Sequence, residues 1–296
     1  MTKLLIPYSS QLIETGGYNM SVIVHPTCSD NYLASLRKIE VLSYSEYPNV
    51  KSTTYLLELD ERFMIRSSKK LVEPQRSIFV SYTTGLEDCR LIDNTYFTGV
   101  LMDSNDKWLA TMCLGKYDSS TGEIKKMICL ENEDNTHQKN WLVINQTSTH
   151  MTILHSYDPL KVISVEKETG KLHTLHYQKV FHLEDCEMHG GGCVYLYGHK
   201  KYLVNVRVVR AHCYQYSLWL LFNEKYKILG SSDPFRFLPK GENSTRHYEM
   251  CMSIIDKDDF ILASVSLNDK ETHMLKYKIK DIIASISVKD TIQTSH

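Results

Sequence analysis

Hydrophobic and polar residues alternate with a period of two along most of the chain. Segments rich in aromatic and β-branched residues predict strands, at Tyr55–Leu59, Ser77–Tyr82, Thr95–Met102, Trp141–Ile144, Lys161–Val165, Leu203–Val209 and Phe260–Val265. Clusters of Asp, Asn, Ser and Gly between these segments predict turns. Only short pieces favour a helix, such as Lys278–Ala284. The pattern therefore predicts an all-β chain.

The strand pattern continues without a linker-like segment, so residues 1–296 are expected to form a single domain. One open sheet of this length would curl or leave exposed edges, and a β-propeller avoids both by repeating four-stranded blades around an axis. Seven short blades would carry a repeated Trp-Asp signature that is missing here. A five-bladed β-propeller fits the length better, and a double-sheet sandwich or jelly roll is the alternative.

Composition narrows the class of partner. The 34 Lys and Arg against 35 Asp and Glu give a net charge of −1, whereas a generic nucleic-acid binder carries a basic excess. No apolar run approaches the roughly 18 residues of a membrane span, and the N-terminal run is too short for a signal peptide. Eight scattered cysteines indicate buried free thiols in a reducing compartment. We therefore expect a cytoplasmic protein without a bound metal.

The most informative polar segment is Gly85-Leu-Glu-Asp-Cys-Arg90, at the mouth of a predicted strand. Glu87 and Asp88 lie beside Arg90, and a cation so close can orient a carboxylate or bind an anionic substrate group. The alternative is a solvated cluster of ion pairs in a turn. This segment is a candidate for acid–base chemistry.

Two further segments carry chemistry that suits a sugar. In His137-Gln-Lys-Asn-Trp141, an indole face beside amide and amine groups matches a saccharide, although a core Trp with a solvated Lys is the alternative. The three glycines of Gly190–Gly192 permit close backbone approach to a ligand, or only a tight turn. They lack the context of a nucleotide-binding loop.

Taken in this order, the motifs resemble the five-bladed β-propeller phosphorylases and hydrolases of glycoside hydrolase family 130 and their glycosyltransferase-like relatives. Gly85-Leu-Glu-Asp-Cys-Arg90 is similar to that family's Gly-x-Glu-Asp-Pro-Arg, with Cys89 in place of Pro. Asn19-Met-Ser21 and Arg37 resemble its first-blade motif, and the likeness spans roughly residues 18 to 277. No His accompanies Arg207, where the family pattern leads us to expect one.

The resemblance implies an inverting glycosyl transfer or phosphorolysis on a β-linked, mannoside-like glycan, with Asp88 as the proton donor. It implies no cofactor beyond inorganic phosphate or a sugar-phosphate or nucleotide-sugar donor. The implied substrate-binding residues are Asn19, Arg37, Glu87, Arg90, Lys139, Asn140, Trp141, Arg207, Glu249 and Asp269.

Two other functions stay open at this point. An inverting glycosidase would need a further carboxylate to activate water, and Glu249 could supply it. A non-catalytic propeller that binds a glycan or a protein would instead have Asp88 in a surface turn and a shallow aromatic groove elsewhere.

Overall fold

The computed structural model of the chain describes residues 3–4, 7–14, 16–43, 49–75, 83–105, 107, 109–130, 136–157, 159–178, 186–210, 214–239 and 247–287. Within these ranges the chain forms five sheets arranged as the blades of a propeller, which confirms the predicted all-β class and the blade number. The predicted strand at Ser77–Tyr82 lies outside the described residues. Each of the other predicted strands falls on an observed one.

The chain starts with two short strands, β1 (Lys3–Leu4) and β2 (Ser9–Ile13). The first blade contains β3 (Tyr18–His25), β4 (Cys28–Ser43), β5 (Asn49–Leu59) and β6 (Ile65–Lys70), and β7 (Thr83–Thr84) pairs with β5. The second contains β8 (Leu86–Leu91), β9 (Tyr96–Leu101), β10 (Thr111–Tyr117) and β11 (Ile124–Cys129). The third contains β12 (Leu142–Gln146), β13 (His150–Tyr157), β14 (Leu160–Glu166) and β15 (Leu172–Gln178).

The fourth blade contains β16 (Cys186–Leu196), β17 (Lys201–Arg210), β18 (Tyr214–Asn223) and β19 (Ile228–Ser232), with a 3₁₀ turn at Tyr197–His199. The strand β20 (Phe235–Arg236) pairs with β1 and β18. The fifth blade contains β21 (Glu249–Lys257), β22 (Phe260–Leu267), β23 (Glu271–Lys278) and, as its outer strand, β2. The predicted helix is confirmed as α1 (Ile279–Ala284), and β24 (Ile286–Ser287) follows it.

The first strand of each blade is the innermost one. The strand β3 contacts β8 and β21, and β16 contacts β12 and β21, so these strands surround the axis. Each inner strand carries one extra residue relative to its neighbour, within Tyr18–Ser21, Glu87–Arg90, Val143–Asn145, Gly190–Cys193 and Cys251–Ser253. Such bulges twist a strand and redirect its side chains. The propeller therefore has a ring of five bulges around its axis.

Apolar side chains fill the interfaces between neighbouring blades. Among the described residues, five hydrophobic clusters each join two adjacent blades. Between the fourth and fifth blades, for example, the ring centroid of Phe237, just after β20, lies 6.1 Å from that of Tyr277 on β23. Because both faces of a blade are covered, several strands are apolar on both sides, as β22 shows. No helix within the described ranges is long and apolar enough to cross a membrane.

Candidate functional site

A cluster of polar side chains lies at one end of the propeller axis, where the inner strands begin. Neighbouring strands of a blade are antiparallel, so the start of an inner strand and the end of the next strand meet at the same end. All five blades contribute to this cluster, which we call the axial polar site. Its members are Asn19, Arg37, Glu87, Asp88, Lys139, His189, Arg207, Tyr248 and Asp269.

Arg37 is the hub of the acidic half of the site. Its Nη2 lies 2.8 Å from Glu87 Oε1, and its Nη1 lies 3.1 Å from Asp88 Oδ1. The third nitrogen, Nε, donates to Ser52 Oγ at 2.8 Å, and the guanidinium lies 5.5 Å from the ring centroid of Tyr18. Burial lowers the pKa of Arg37, but the two carboxylates outweigh burial and the pKa is raised. The sequence-predicted residues Arg37, Glu87 and Asp88 are therefore joined directly.

Asp88 is held by the bulge of β8 and by the first blade. Its φ is 46°, in the left-handed region that Asn and Asp tolerate better than most residues. Asn19 lies in the bulge of β3 with a φ of 51°, and its Nδ2 donates to Asp88 Oδ1 at 2.8 Å. The backbone N–H of Asn19 donates to Ser266 Oγ at 2.6 Å. Two bulges thus aim one amide and one carboxylate at each other.

Three carboxylates share this half of the site. Asp269 lies close enough to the side chain of Asn19 for that amide to lower the pKa of Asp269. Burial raises the pKa of Asp269, and the charge of Asp88 adds to the rise, while Arg37 and Arg207 oppose it. Burial likewise raises the pKa of Glu87, although Arg37 opposes that rise. Crowded carboxylates in a buried site retain protons more readily than isolated ones, so the cluster is suited to proton transfer.

The other half of the site is cationic. Arg207 donates from Nη1 to the hydroxyl of Tyr248, and its guanidinium lies 4.9 Å from that ring's centroid. Its Nε is buried and has no hydrogen-bond partner among the described residues. Buried donors are normally satisfied, so this N–H marks an unfilled hydrogen-bonding position beside the site. Lys139 is exposed, and its charge acts on both Glu87 and His189.

His189 is a member of the site that the sequence did not indicate. It lies directly opposite Arg207 in the pairing of β16 with β17, so both side chains share one face. Burial and the charge of Arg207 lower the pKa of His189, which keeps the imidazole neutral at pH 7. A histidine thus faces Arg207 from the neighbouring strand, although none lies beside Arg207 in the sequence. Only the strand register could have revealed it.

Arg90 points away from the axial polar site, which differs from the sequence-based expectation. It is buried, and its Nη1 donates to the carbonyl oxygens of Gly191 and of Met252, the latter at 2.6 Å. Its Nη2 donates to the carbonyl oxygen of Gly190 at 3.4 Å. Burial lowers the pKa of Arg90, although Asp88 opposes this. Arg90 therefore ties the second blade to the bulges of the fourth and fifth.

The glycines of β16 serve close packing. A Cβ on Gly191 would lie 2.3 Å from Asn205 Oδ1, and one on Gly190 would lie 2.3 Å from the carbonyl oxygen of Asn140. These separations are shorter than any real contact, so a side chain at either position would displace a neighbour. The glycine run allows β16 to approach its neighbours and to present its carbonyl groups to the axis.

Trp141 lies in the core rather than in the site. It is only 2% exposed, its Nε1 donates to Gln138 Oε1 at 2.8 Å, and its ring packs against His155. The indole fills the interface between the second and third blades, which leaves no free face for a sugar. Asn140 is also buried, with a φ of 61°.

Glu249 is used structurally. Its Oε2 accepts the backbone N–H of Phe237 at 2.9 Å, and its Oε1 accepts that of Leu238 at 2.7 Å. His247 provides a third contact, because its Nε2 lies 2.8 Å from Oε1 of Glu249. A carboxylate engaged by two backbone donors is poorly placed to activate water, in contrast to the role that the sequence suggested.

Comparison with known proteins finds similar structures but no similar sequence. No family model matches the chain, and no curated protein matches it. Among solved structures, the chain is similar to a β-1,2-mannobiose phosphorylase from Listeria innocua in complex with β-1,2-mannobiose. The TM-score is 0.67 at 12% identity, over 95% of each chain.

Two more solved structures share the fold at a similarly low sequence identity. A glycosyl hydrolase from Bacteroides ovatus has a TM-score of 0.63 at 10% identity, over 90% of this chain and 84% of that one. A GDP-Man-dependent mannosyltransferase from Leishmania mexicana has a TM-score of 0.53 at 11% identity, over 94% and 89%. The resemblance noted from the sequence is thus confirmed at the level of the fold.

Proposed function

We propose that this protein is an inverting carbohydrate-active enzyme that cleaves or forms a β-linked, mannoside-like glycan, with Asp88 as the proton donor. The observation that carries the proposal is the Asp88 carboxylate, which Asn19 and Arg37 hold within the axial polar site. The shared fold supports the same class of reaction, because the similar proteins named above are a phosphorylase, a hydrolase and a transferase.

The acidic half would deliver the proton. Asn19 and Arg37 both donate to Oδ1 of Asp88, so Oδ2 is the oxygen that we expect to carry the proton. That proton passes to the glycosidic oxygen, directly or through a sugar hydroxyl, as the bond from this oxygen to the anomeric carbon breaks. General acid catalysis of this kind contributes about 10²- to 10⁴-fold to the rate. Glu87 and Asp269 would bind sugar hydroxyls beside it.

The cationic half would hold the nucleophile. An oxygen of phosphate attacks the anomeric carbon from the face opposite the leaving oxygen, which inverts the configuration and yields a sugar phosphate. The guanidinium charge of Arg207 would attract such an anion, and Lys139 and His189 would add positive charge and a donor. The reverse reaction, or transfer from a nucleotide sugar, uses the same cations for the leaving phosphate.

Phosphorolysis or transfer is favoured over hydrolysis by the placement of the carboxylates. An inverting hydrolase needs a second carboxylate about 6.5–9.5 Å from the acid, on the far side of the attacking water. Glu249 is bound to backbone donors. Asp269 lies near both Asn19 and Asp88, since both influence its pKa, so it lies on the same side as the acid.

The experiment is a phosphate-dependence assay on β-linked mannosides, combined with synthesis from mannose phosphates and nucleotide sugars. We expect a mannoside to be consumed only when phosphate is present, with a sugar phosphate of inverted configuration detected by NMR. Activity that requires neither phosphate nor a nucleotide would instead identify a hydrolase. Inactivity of the wild type on the whole panel would contradict the proposal, and the surface variant Asp233→Asn is a control that should behave as wild type.

A further inference from the structure

A second cleft opens at the other end of the propeller, between the third and fourth blades. It lies where β12 and β16 end, whereas the axial polar site lies where the inner strands begin. Its volume is about 550 Å³, which is within the range of ligand sites. We call it the tyrosine cleft, and its main lining residues are Gln146, Tyr195, Tyr197, Tyr202, Glu224 and Tyr226.

Four tyrosine rings form one wall of the tyrosine cleft. The ring centroid of Tyr195 lies 4.9 Å from that of Tyr202 and 5.0 Å from that of Tyr197, and Tyr202 lies 5.9 Å from Tyr226. Tyr202 is buried at the base, whereas Tyr197 is 78% exposed. The exposed ring is thus braced by rings that are anchored in the fold. A braced aromatic face loses little freedom when a ligand stacks on it.

Polar groups beside this wall are held in fixed orientations. Glu224 Oε1 accepts a hydrogen bond from the Tyr195 hydroxyl at 2.6 Å. Gln146 donates from Nε2 to Asp93 Oδ2 at 3.0 Å, and its Oε1 accepts from Lys167 Nζ at 2.9 Å. Carboxylate, amide and phenol groups therefore stand next to exposed aromatic carbon.

This combination selects a neutral polyhydroxylated ligand. A purely apolar ligand would remove water from the remaining acceptor sites of the Glu224 carboxylate without replacing it, and the same carboxylate opposes a phosphate. A saccharide presents C–H faces to aromatic rings and hydroxyl groups to carboxylates and amides. The chemistry of the lining therefore fits a sugar chain better than a nucleotide or a lipid.

We propose that the tyrosine cleft is a second saccharide-binding site, which holds a remote part of a glycan or a second glycan chain. The choice of a β-mannoside as ligand rests on the proposed function. His189 and Tyr195 are six residues apart on β16, which corresponds to roughly 20 Å at the usual rise of a strand. That distance is too long for one disaccharide to reach both sites, so the cleft binds independently of catalysis.

The test is affinity electrophoresis of the folded protein in native gels that contain a soluble β-mannan. Wild type is compared with Tyr197→Ala, with Asp269→Ala in the axial polar site, and with Tyr177→Ala as a matched control. Tyr177 is 64% exposed on the outer strand β15 of the third blade. We expect wild type, Asp269→Ala and Tyr177→Ala to be retarded. Tyr197→Ala should bind about three- to tenfold more weakly, as expected for the loss of one stacking ring.

Several results would overturn this proposal without touching the proposed function. One is equal retardation of wild type and Tyr197→Ala, or retardation that disappears only in Asp269→Ala. A second is the absence of retardation in wild type. A third is concentration-dependent association in light scattering that Tyr197→Ala abolishes without any effect of β-mannan, which would make the cleft a protein interface. Turnover of a disaccharide by Tyr197→Ala, expected within about twofold of wild type because the site is remote, reports separately on catalysis.

Discussion

Replacing Arg37 by Met tests whether one guanidinium holds the acidic half of the axial polar site together. The variant keeps the length and apolar stem of the side chain but removes the charge that lies 2.8 Å from Glu87 and 3.1 Å from Asp88. The side chains of Arg37 and Glu87 are only 11% and 7% exposed. Water therefore cannot replace the lost partner.

The expected loss of stability is large. Removal of one partner from a buried ion pair costs about 3–5 kcal/mol, because an uncompensated charge remains in the interior. Urea unfolding at pH 8 should show a decrease of this size in the free energy of unfolding of Arg37→Met. Arg37→Lys should lose less, since it keeps the charge but cannot donate to Glu87, Asp88 and Ser52 at once.

The loss should depend on pH in a defined direction. Burial already raises the pKa of Glu87 in the folded protein, and Arg37 opposes the rise, so the pKa climbs further in Arg37→Met. A carboxyl with a raised pKa in the folded state stabilises the fold while it is protonated, and this stabilisation is lost as the pH rises through that pKa. The variant should therefore be less impaired at pH 5 than at pH 8. The difference is about 1.4 kcal/mol for each additional pKa unit.

Arg62→Met is the matched control. Its Nε lies 3.9 Å from Glu61 Oε1, and the two side chains are 83% and 66% exposed, so the expected change is below about 1 kcal/mol at either pH. The reasoning fails if Arg37→Met unfolds at the same urea concentration as this control. It also fails if the loss at pH 5 equals or exceeds the loss at pH 8.

Three further variants separate the roles assigned above. Asp88→Asn should lower kcat on a natural mannoside by about 10²- to 10⁴-fold. It should spare a substrate with a dinitrophenolate leaving group, because that group needs no proton. Equal loss of kcat on both substrates would exclude Asp88 as the acid. Trp141→Phe should lower the free energy of unfolding by about 1–3 kcal/mol through lost packing and leave KM for the glycan unchanged; a raised KM at unchanged stability would instead indicate sugar stacking. Arg90→Met should destabilise the fold by about 3–5 kcal/mol, because carbonyl groups at the axis lose their donor. A variant of wild-type stability with a raised KM for phosphate would show instead that Arg90 binds substrate.

The all-β class was accessible from the sequence, because alternation predicts strands. The chain length favoured five blades, although it left a sandwich or jelly roll open. The meeting of Asn19, Arg37, Glu87 and Asp88 was suggested by the motif resemblance. The direction of Arg90 was not accessible. In a regular strand, residues 88 and 90 point to the same face, but the extra residue between Glu87 and Arg90 breaks this alternation. A bulge leaves no mark in the periodicity.

The other differences also come from tertiary structure. Trp141 stands at the boundary of an apolar strand, where burial and exposure give the same sequence pattern, and packing between blades decides the outcome. His189 and Arg207 are 18 positions apart in the sequence but directly opposite in the sheet. The pairing register of two strands brought them together. A single sequence does not specify that register.

Completion of the fifth blade by β2 makes closure of the propeller depend on strands that lie far apart in the sequence. Ser9 pairs with Lys276, and Asn19 takes its anchor from Ser266, 247 residues further along the chain. Contacts of such high contact order form slowly, because a long loop must close before they are gained. A nascent chain can build its first four blades on the ribosome, but Asn19, which donates to Asp88, lacks its anchor Ser266 until the last hairpin docks. Translation at least as far as β23 thus precedes the first molecule with a complete fifth blade.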